Sequence, residues 1–362
     1  MIQRIFNFSP GPAVLPVEVL QRAQEELLAL PGVGSSILEI SHRGGAFTEI
    51  LNAAEANLRQ LLGLTDNYRV VFLQGGSRLQ FSMVPMNLLG GKSADYITTG
   101  TWGEKAFEEA RREGSVRLAW DGKSSNYNSL PTDDELDLDA EAAYAYFTSN
   151  ETIQGVQFQK EPETGNVPLV CDASSDFLYR PLDIPRYGLL YACAQKNAGP
   201  AGVTVVIIRE DLVQVPDEKM SSMLSYHNHV QDKSCYNTAP TFGIYIVKLV
   251  TDWLIETVGG LEKMHQKNRE KADLLYTAID TSGGFYDPHA KSDCRSLMNV
   301  TFCLPNDDLQ AQFIEGAKQR DLCNLKGHRS VGGIRASIYN AMPREGVEKL
   351  AEFMDEFRTA HN

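Results

Sequence analysis

The feature that most constrains this chain is a series of short apolar segments, several nearly continuous, that could not face water on both sides. Arg69-Val-Val-Phe-Leu-Gln74 and residues 94–98, 116–120, 143–148, 167–171, 189–193 and 203–208 all have strand length. A strand wetted on one face alternates apolar and polar residues. A run that is apolar at both parities needs cover on both faces. Helix-like segments such as 103–113 fall between some of these runs. The combination predicts an α/β fold with a mostly parallel sheet between helical layers. Binding loops in such sheets follow the carboxyl ends of the strands. Gly76, Ser77, Trp102, Thr152, Asp172 and Lys196 all occupy such positions.

The remaining segments suggest a second, smaller unit. Pro16 opens a helical pattern with Leu20, Ala23, Leu27 and Leu30 on one face. A second helix carries Ile50, Leu51, Ala54, Leu58 and Leu61, and residues 240–258 read as a long helix ending at the hinge-like pair Gly259-Gly260. Helices over 261–279, 307–319 and 343–360 then flank strands at 298–304 and 335–339, an α+β pattern. A chain of 362 residues exceeds what one compact core usually holds. The expected division is an N-terminal segment 1–15 packing near the small domain, a large domain 16–260 and a small domain 261–362.

Charge narrows the partners. The net charge is -13, from 47 acidic against 34 basic residues, and no dense basic surface is available to neutralise nucleic-acid phosphates. Six cysteines without a C-x-x-C pair read as reduced side chains, with no zinc framework. Residues 1–16 lack the apolar core of a secretory signal, and the best apolar run, 203–208, is too short to span a membrane. The expectation is a cytoplasmic protein with no nucleic acid, membrane or metal partner.

Lys196 lies just beyond an apolar strand and before the turn Gly199-Pro-Ala-Gly202. Most lysines are solvated surface charges, but partial desolvation here would suit a lysine that attacks a carbonyl. Asp172 ends another strand; as an ordinary turn aspartate it would need no further role. Together the two match a pyridine cofactor, whose ring nitrogen needs a carboxylate and whose aldehyde needs an amine. Gly75-Gly76-Ser77-Arg78 enters a helix and could cradle a phosphate, though a Gly-Gly pair is more often only a turn. Trp102 could stack on a ring and Thr152 could bond a phenolic oxygen; simple packing and a simple turn are the commoner explanations. Positive charge gathers at Ser41-His42-Arg43 and at Gly327-His328-Arg329, followed by Arg335. These are either solvated loops or anion clamps.

Taken together, these segments resemble the phosphoserine aminotransferases, class-V pyridoxal-phosphate-dependent enzymes. The resemblance is carried by Phe6-Asn-Phe-Ser-Pro-Gly-Pro12, Ser41-His-Arg43, Asp172-Ala-Ser-Ser175, Ala194-Gln-Lys-Asn197, Tyr236-Asn-Thr238 and the run from Gly327 to Asn340. It implies fold type I, aspartate-aminotransferase-like, with a seven-stranded sheet, and a homodimer with shared active sites. It also implies pyridoxal 5'-phosphate as cofactor and transfer of the amino group between L-glutamate and 3-phosphohydroxypyruvate. That places the chain in serine biosynthesis, with 4-phosphohydroxy-L-threonine in pyridoxine biosynthesis a further substrate to consider. By resemblance Lys196 bears the cofactor and shuttles the proton, while Asp172 pairs with the ring nitrogen. Trp102 stacks and Thr152 contacts the 3'-oxygen. Gly76, Ser77, Arg78 and Gln195 hold the phosphate, joined by Asn237 and Thr238 of the other subunit. Arg335 binds the substrate carboxylate. His42 and Arg43 of the other subunit, with His328 and Arg329, bind the substrate phosphate or the glutamate side chain. Ala239 and Tyr179 depart from the family pattern beside the motifs without removing a functional group. The alternatives are another fold-type I aminotransferase acting on a different small anionic amino acid, a cysteine desulfurase, or a non-catalytic phosphate binder. No cysteine sits in a Gly/Ser-rich loop as a desulfurase needs, and a phosphate binder leaves the Asp172/Lys196 pair unexplained.

Overall fold

The computed structural model describes residues 4–361. Residues 1–3 of the expected N-terminal segment and Asn362 of the expected small domain lie outside the described residues. Seven strands form the main sheet in the order Tyr68–Gln74, Val203–Arg209, Tyr187–Cys193, Leu169–Asp172, Ala145–Thr148, Ala94–Thr98, Val116–Asp121. Only Val203–Arg209 runs against its neighbours; the remaining pairs are parallel. This is the mostly parallel α/β sheet expected from the apolar runs.

Cover on both faces follows strand parity. Val70 and Phe72 turn to one core, where they meet Leu51, Ala54 and Leu58 of the helix Gly45–Leu62 and Ile244 and Val247 of Thr241–Trp253. Val71 and Leu73 turn to the other, against Phe81 and Met83 of Ser77–Leu88 and Ala106 and Ala110 of Thr101–Glu113. Each such large side chain contributes about 1.5–3 kcal/mol on burial, which holds the sheet rigid beneath the loops at its carboxyl edge.

A separate core lies around the strands Asp287–Pro288, Asn299–Cys303 and Ile334–Ser337. There Leu275, Phe302, Phe313 and Leu350 join the helices Leu261–Asp280, Asp307–Lys318 and Arg344–His361 to that sheet. The short strand Phe6–Asn7 pairs in parallel with Leu322–Cys323. No described helix is long and apolar enough to cross a membrane.

Two elements depart from expectation. The first helix, Val17–Glu26, buries Val19 and Ala23, while Leu20 and Leu27 are exposed. Of the expected stripe Ala23 and Leu30 are buried, while Val19 takes the place expected of Leu20. Val19 and Ala23 lie four apart on one face, and the buried Leu30 is reached only after the helix has ended. The long helix Thr241–Trp253 continues into a single π-helical turn, Leu254–Val258, which stops at Gly259 with φ +86°.

Candidate active site

Four strand ends and one hairpin converge on a cavity of about 420 Å³. Its floor and one wall carry Asp172, Lys196, Thr152 and Trp102; Gly76, Ser77, Arg78 and Gln195 line a second wall. His328 and Arg335, from the C-terminal part of the chain, close the third. The Lys196 ammonium donates to Thr152 Oγ1 at 2.7 Å and lies 5.5 Å from the centre of the Trp102 ring. Trp102 sits in the first turn of the helix Thr101–Glu113.

Asp172 is buried. One carboxylate oxygen, Oδ1, accepts from the Ser174 amide at 2.9 Å and from the Ser174 hydroxyl at 2.5 Å. Burial pushes this carboxyl above its ordinary value, and the Lys196 charge and the Ser174 bonds pull it back. The turn-capping role that its position suggested is therefore real, and the same bonds hold the carboxylate beneath the cavity.

The helix Ser77–Leu88 starts at Gly76 with no side-chain cap, so its first-turn N–H groups face the cavity end without that partner. Three buried polar atoms around the cavity also lack a hydrogen-bond partner: Gln195 Oε1, Trp102 Nε1 and Arg335 Nε. Orphaned groups gathered at one cavity mark where a ligand makes the missing bonds. Burial pushes the Arg335 guanidinium pKa down, as expected of a cation held ready for an anion. His328 Nδ1 lies 2.8 Å from Ser330 Oγ. Burial lowers its pKa, helped by the charges of Arg335, Arg329 and Lys105, so the free imidazole is neutral at pH 7.

His42, Arg43, Asn237, Thr238 and the exposed Arg329 do not line the cavity. The first four gather elsewhere on the protomer. Cys235 Sγ lies 3.7 Å from the His42 carbonyl oxygen, and Asn237 Nδ2 donates to Gln74 Oε1 at 2.8 Å. Sequence reasoning missed Glu151 and gave Ser174 no role. Ser174 was findable two residues after Asp172, the usual spacing of a turn-capping partner. Glu151 is fully buried and its contacts are distant in sequence.

Residues 5–350 match the model of the aminotransferase class-V family. A phosphoserine aminotransferase from Rhodopirellula baltica is 56% identical over 99% of this chain and 96% of its own length. The chain belongs to the phosphoserine aminotransferase family. A solved member from Bacillus circulans subsp. alkalophilus superposes with a TM-score of 0.97 at 50% identity, covering 99% of both chains. A pyridoxal-phosphate-bound member from Trichomonas vaginalis gives 0.92 at 41% identity, covering 97% of this chain and all of the other. The fold is that of the pyridoxal-phosphate aminotransferases, the chain is an aminotransferase, and pyridoxal phosphate is its cofactor. The cavity fits it: a carboxylate, an amine, an indole and an open helix start, the kinds of group such a cofactor needs, all line one space.

Proposed function

We propose that this protein catalyses reversible amino transfer between L-glutamate and 3-phosphohydroxypyruvate, giving 2-oxoglutarate and O-phospho-L-serine, the transamination step of serine biosynthesis. The observation that carries the reading is one cavity holding both the Lys196/Asp172 pair and a wall where the Arg335 guanidinium stands with the His328 imidazole. Bound pyridoxal phosphate supplies a carbonyl to accept the amino group and a ring to take up the electrons of the broken Cα–H bond.

The protein's own groups do the rest. Asp172 would hold the ring nitrogen of the cofactor through its carboxylate. Thr152 orients the Lys196 amine, which would hold the cofactor through its carbonyl and would take the proton from the substrate Cα. Trp102 presents its indole face to the ring and keeps water from it. Gly76, Ser77 and Arg78 offer backbone N–H groups to the cofactor phosphate, with Gln195 beside them. Arg335 clamps the substrate α-carboxylate. His328 and Arg329 take the distal phosphate or carboxylate. The same proposal includes a homodimer in which His42, Arg43, Asn237 and Thr238 complete the partner's site. It also divides the chain into a cofactor-holding unit, 16–260, and a C-terminal unit, 261–362, meeting at the cavity.

Absorption spectroscopy tests the substrate. Adding O-phospho-L-serine to the yellow loaded protein should bleach the visible band, and 3-phosphohydroxypyruvate should restore it. Bleaching by other amino acids but not by this one would keep the chemistry and overturn the substrate.

A further inference from the structure

Glu151 has no part in the mechanism above, yet it is fully buried one residue from Thr152. Its two oxygens accept separate backbone hydrogen bonds, Oε1 from the Gly103 amide at 2.7 Å and Oε2 from the Trp102 amide at 3.0 Å. Those amides belong to the first turn of Thr101–Glu113, where a helix has no internal acceptor to offer them. The helix supplies no cap of its own, because its N-cap is Gly100. Gly100 is in extended backbone, which any residue can adopt, so conformation does not explain the glycine. Space does: a Cβ there would come 2.4 Å from both Cγ and Cδ of Glu151. At Gly103 a Cβ would stand 3.3 Å from Oε1. The chain has given up a capping side chain at position 100 to let a carboxylate in from another element.

That carboxylate connects two walls of the active site. Thr152, its neighbour, takes the Lys196 ammonium at 2.7 Å, and Gln154 Oε1 accepts from the Thr101 amide at 3.3 Å. The segment Glu151–Gln154 thus grips the turn that presents the indole while holding the lysine on its other side. The positive end of the helix stabilises an anion at this point.

We propose that Glu151 is a positioning residue for transamination: by holding the Trp102 and Gly103 amides it sets the indole face against which the cofactor ring packs. The inference rests on the reading of Trp102 as the stacking residue.

Hydrogen exchange on the unmutated, full-length protein is the first test. The Trp102 and Gly103 amides should be protected, although first-turn amides of a helix ordinarily open easily. Fast exchange at both overturns the proposal whatever the variants do. The second test replaces Trp120 and Trp253 by Phe, leaving Trp102 as the one tryptophan of three. In that background Glu151→Gln, which puts an amide N–H₂ against one of the two donors, should shift the Trp102 emission maximum before any cofactor is added. It should also raise the Kd for pyridoxal phosphate about tenfold, yet change it by less than about twofold when added to Trp102→Ala. A cap with no positioning role would lower the melting temperature while leaving emission and Kd unmoved, and that result overturns the proposal, as does an equal loss of affinity with and without Trp102. Should Trp102→Ala alone leave Kd unaltered, the stacking assignment falls, and the emission shift still decides whether Glu151 holds that turn.

Discussion

Glu151 and Asp172 are both wholly buried carboxyls near Lys196, and burial raises both above their ordinary values. For Glu151 the rise is from 4.5 to about 7, opposed by the Gly103 and Trp102 amides and the Lys196 charge. A carboxyl whose pKa is higher folded than unfolded binds its proton more tightly in the native state. Its contribution to stability is therefore complete below about pH 4.5 and is lost as pH rises through about 7, a linkage worth about 3 kcal/mol. The protein without cofactor should lose stability across that window, and Glu151→Gln should make the slope shallower. Asp176, pushed to about 6, and Asp172, raised in the same sense, should leave a residual slope. Urea unfolding of both proteins between pH 5 and 8 measures this. Parallel curves would mean that Glu151 holds no raised pKa, with Asp172 and Lys196, the charges that face it, setting its ionisation differently.

The loop that carries His328 depends on a steric detail. A Cβ on Gly327 would come 1.9 Å from the Gly332 carbonyl oxygen and 2.7 Å from that of Gly333, both backbone atoms that cannot turn aside. Gly332 and Gly333 themselves sit at φ +78° and +66°, so the loop closes on itself through glycines at both ends. Gly327→Ala should force it open and carry His328 off the cavity wall. The expected result is a KM for O-phospho-L-serine raised about tenfold with kcat little changed, the signature of lost binding shared by ground and transition states. An unchanged KM in steady-state assays would remove this loop from substrate recognition. Elements of this kind differ in how legible they are. Most of the seven strands could be read because apolar residues at both parities leave no other way to bury them, the edge strand Val116–Asp121, where only Ala119 is buried, being an exception, and Lys196 and Asp172 because a strand end fixes where a side chain stands. The first helix was read only in part: Ala23 is buried as expected, but Leu20 yields the buried face to Val19, and Leu27 is exposed just past the helix end. Glu151 was invisible for a different reason. Its acceptor role is defined by backbone amides 48 and 49 positions away, and the glycine that admits it carries no periodic signal.

Those misread leucines bear on the whole molecule. Leu20, Leu27, Leu28, Val33 and Leu38 are all exposed, Leu28 to 87%, in the segment that runs up to His42 and Arg43. Apolar side chains left in water over so short a stretch suit a surface that a second copy covers. Symmetry then makes a strong requirement. If Arg43 serves the partner's cavity while Lys196 serves its own, the two defects of a mixed dimer fall in the same site. A dimer of one Lys196→Ala subunit and one Arg43→Ala subunit has one site carrying both defects and one carrying neither. Each variant alone should be nearly inactive. Random reassociation of equal amounts makes half the dimers mixed, each with one intact site, so about a quarter of the unmutated activity should return. If both residues served the same protomer's cavity, every site in every mixture would carry one defect and nothing would return. Assaying the mixture after denaturation and refolding together, with sedimentation to confirm dimers, distinguishes the two arrangements without reference to the cofactor's own chemistry.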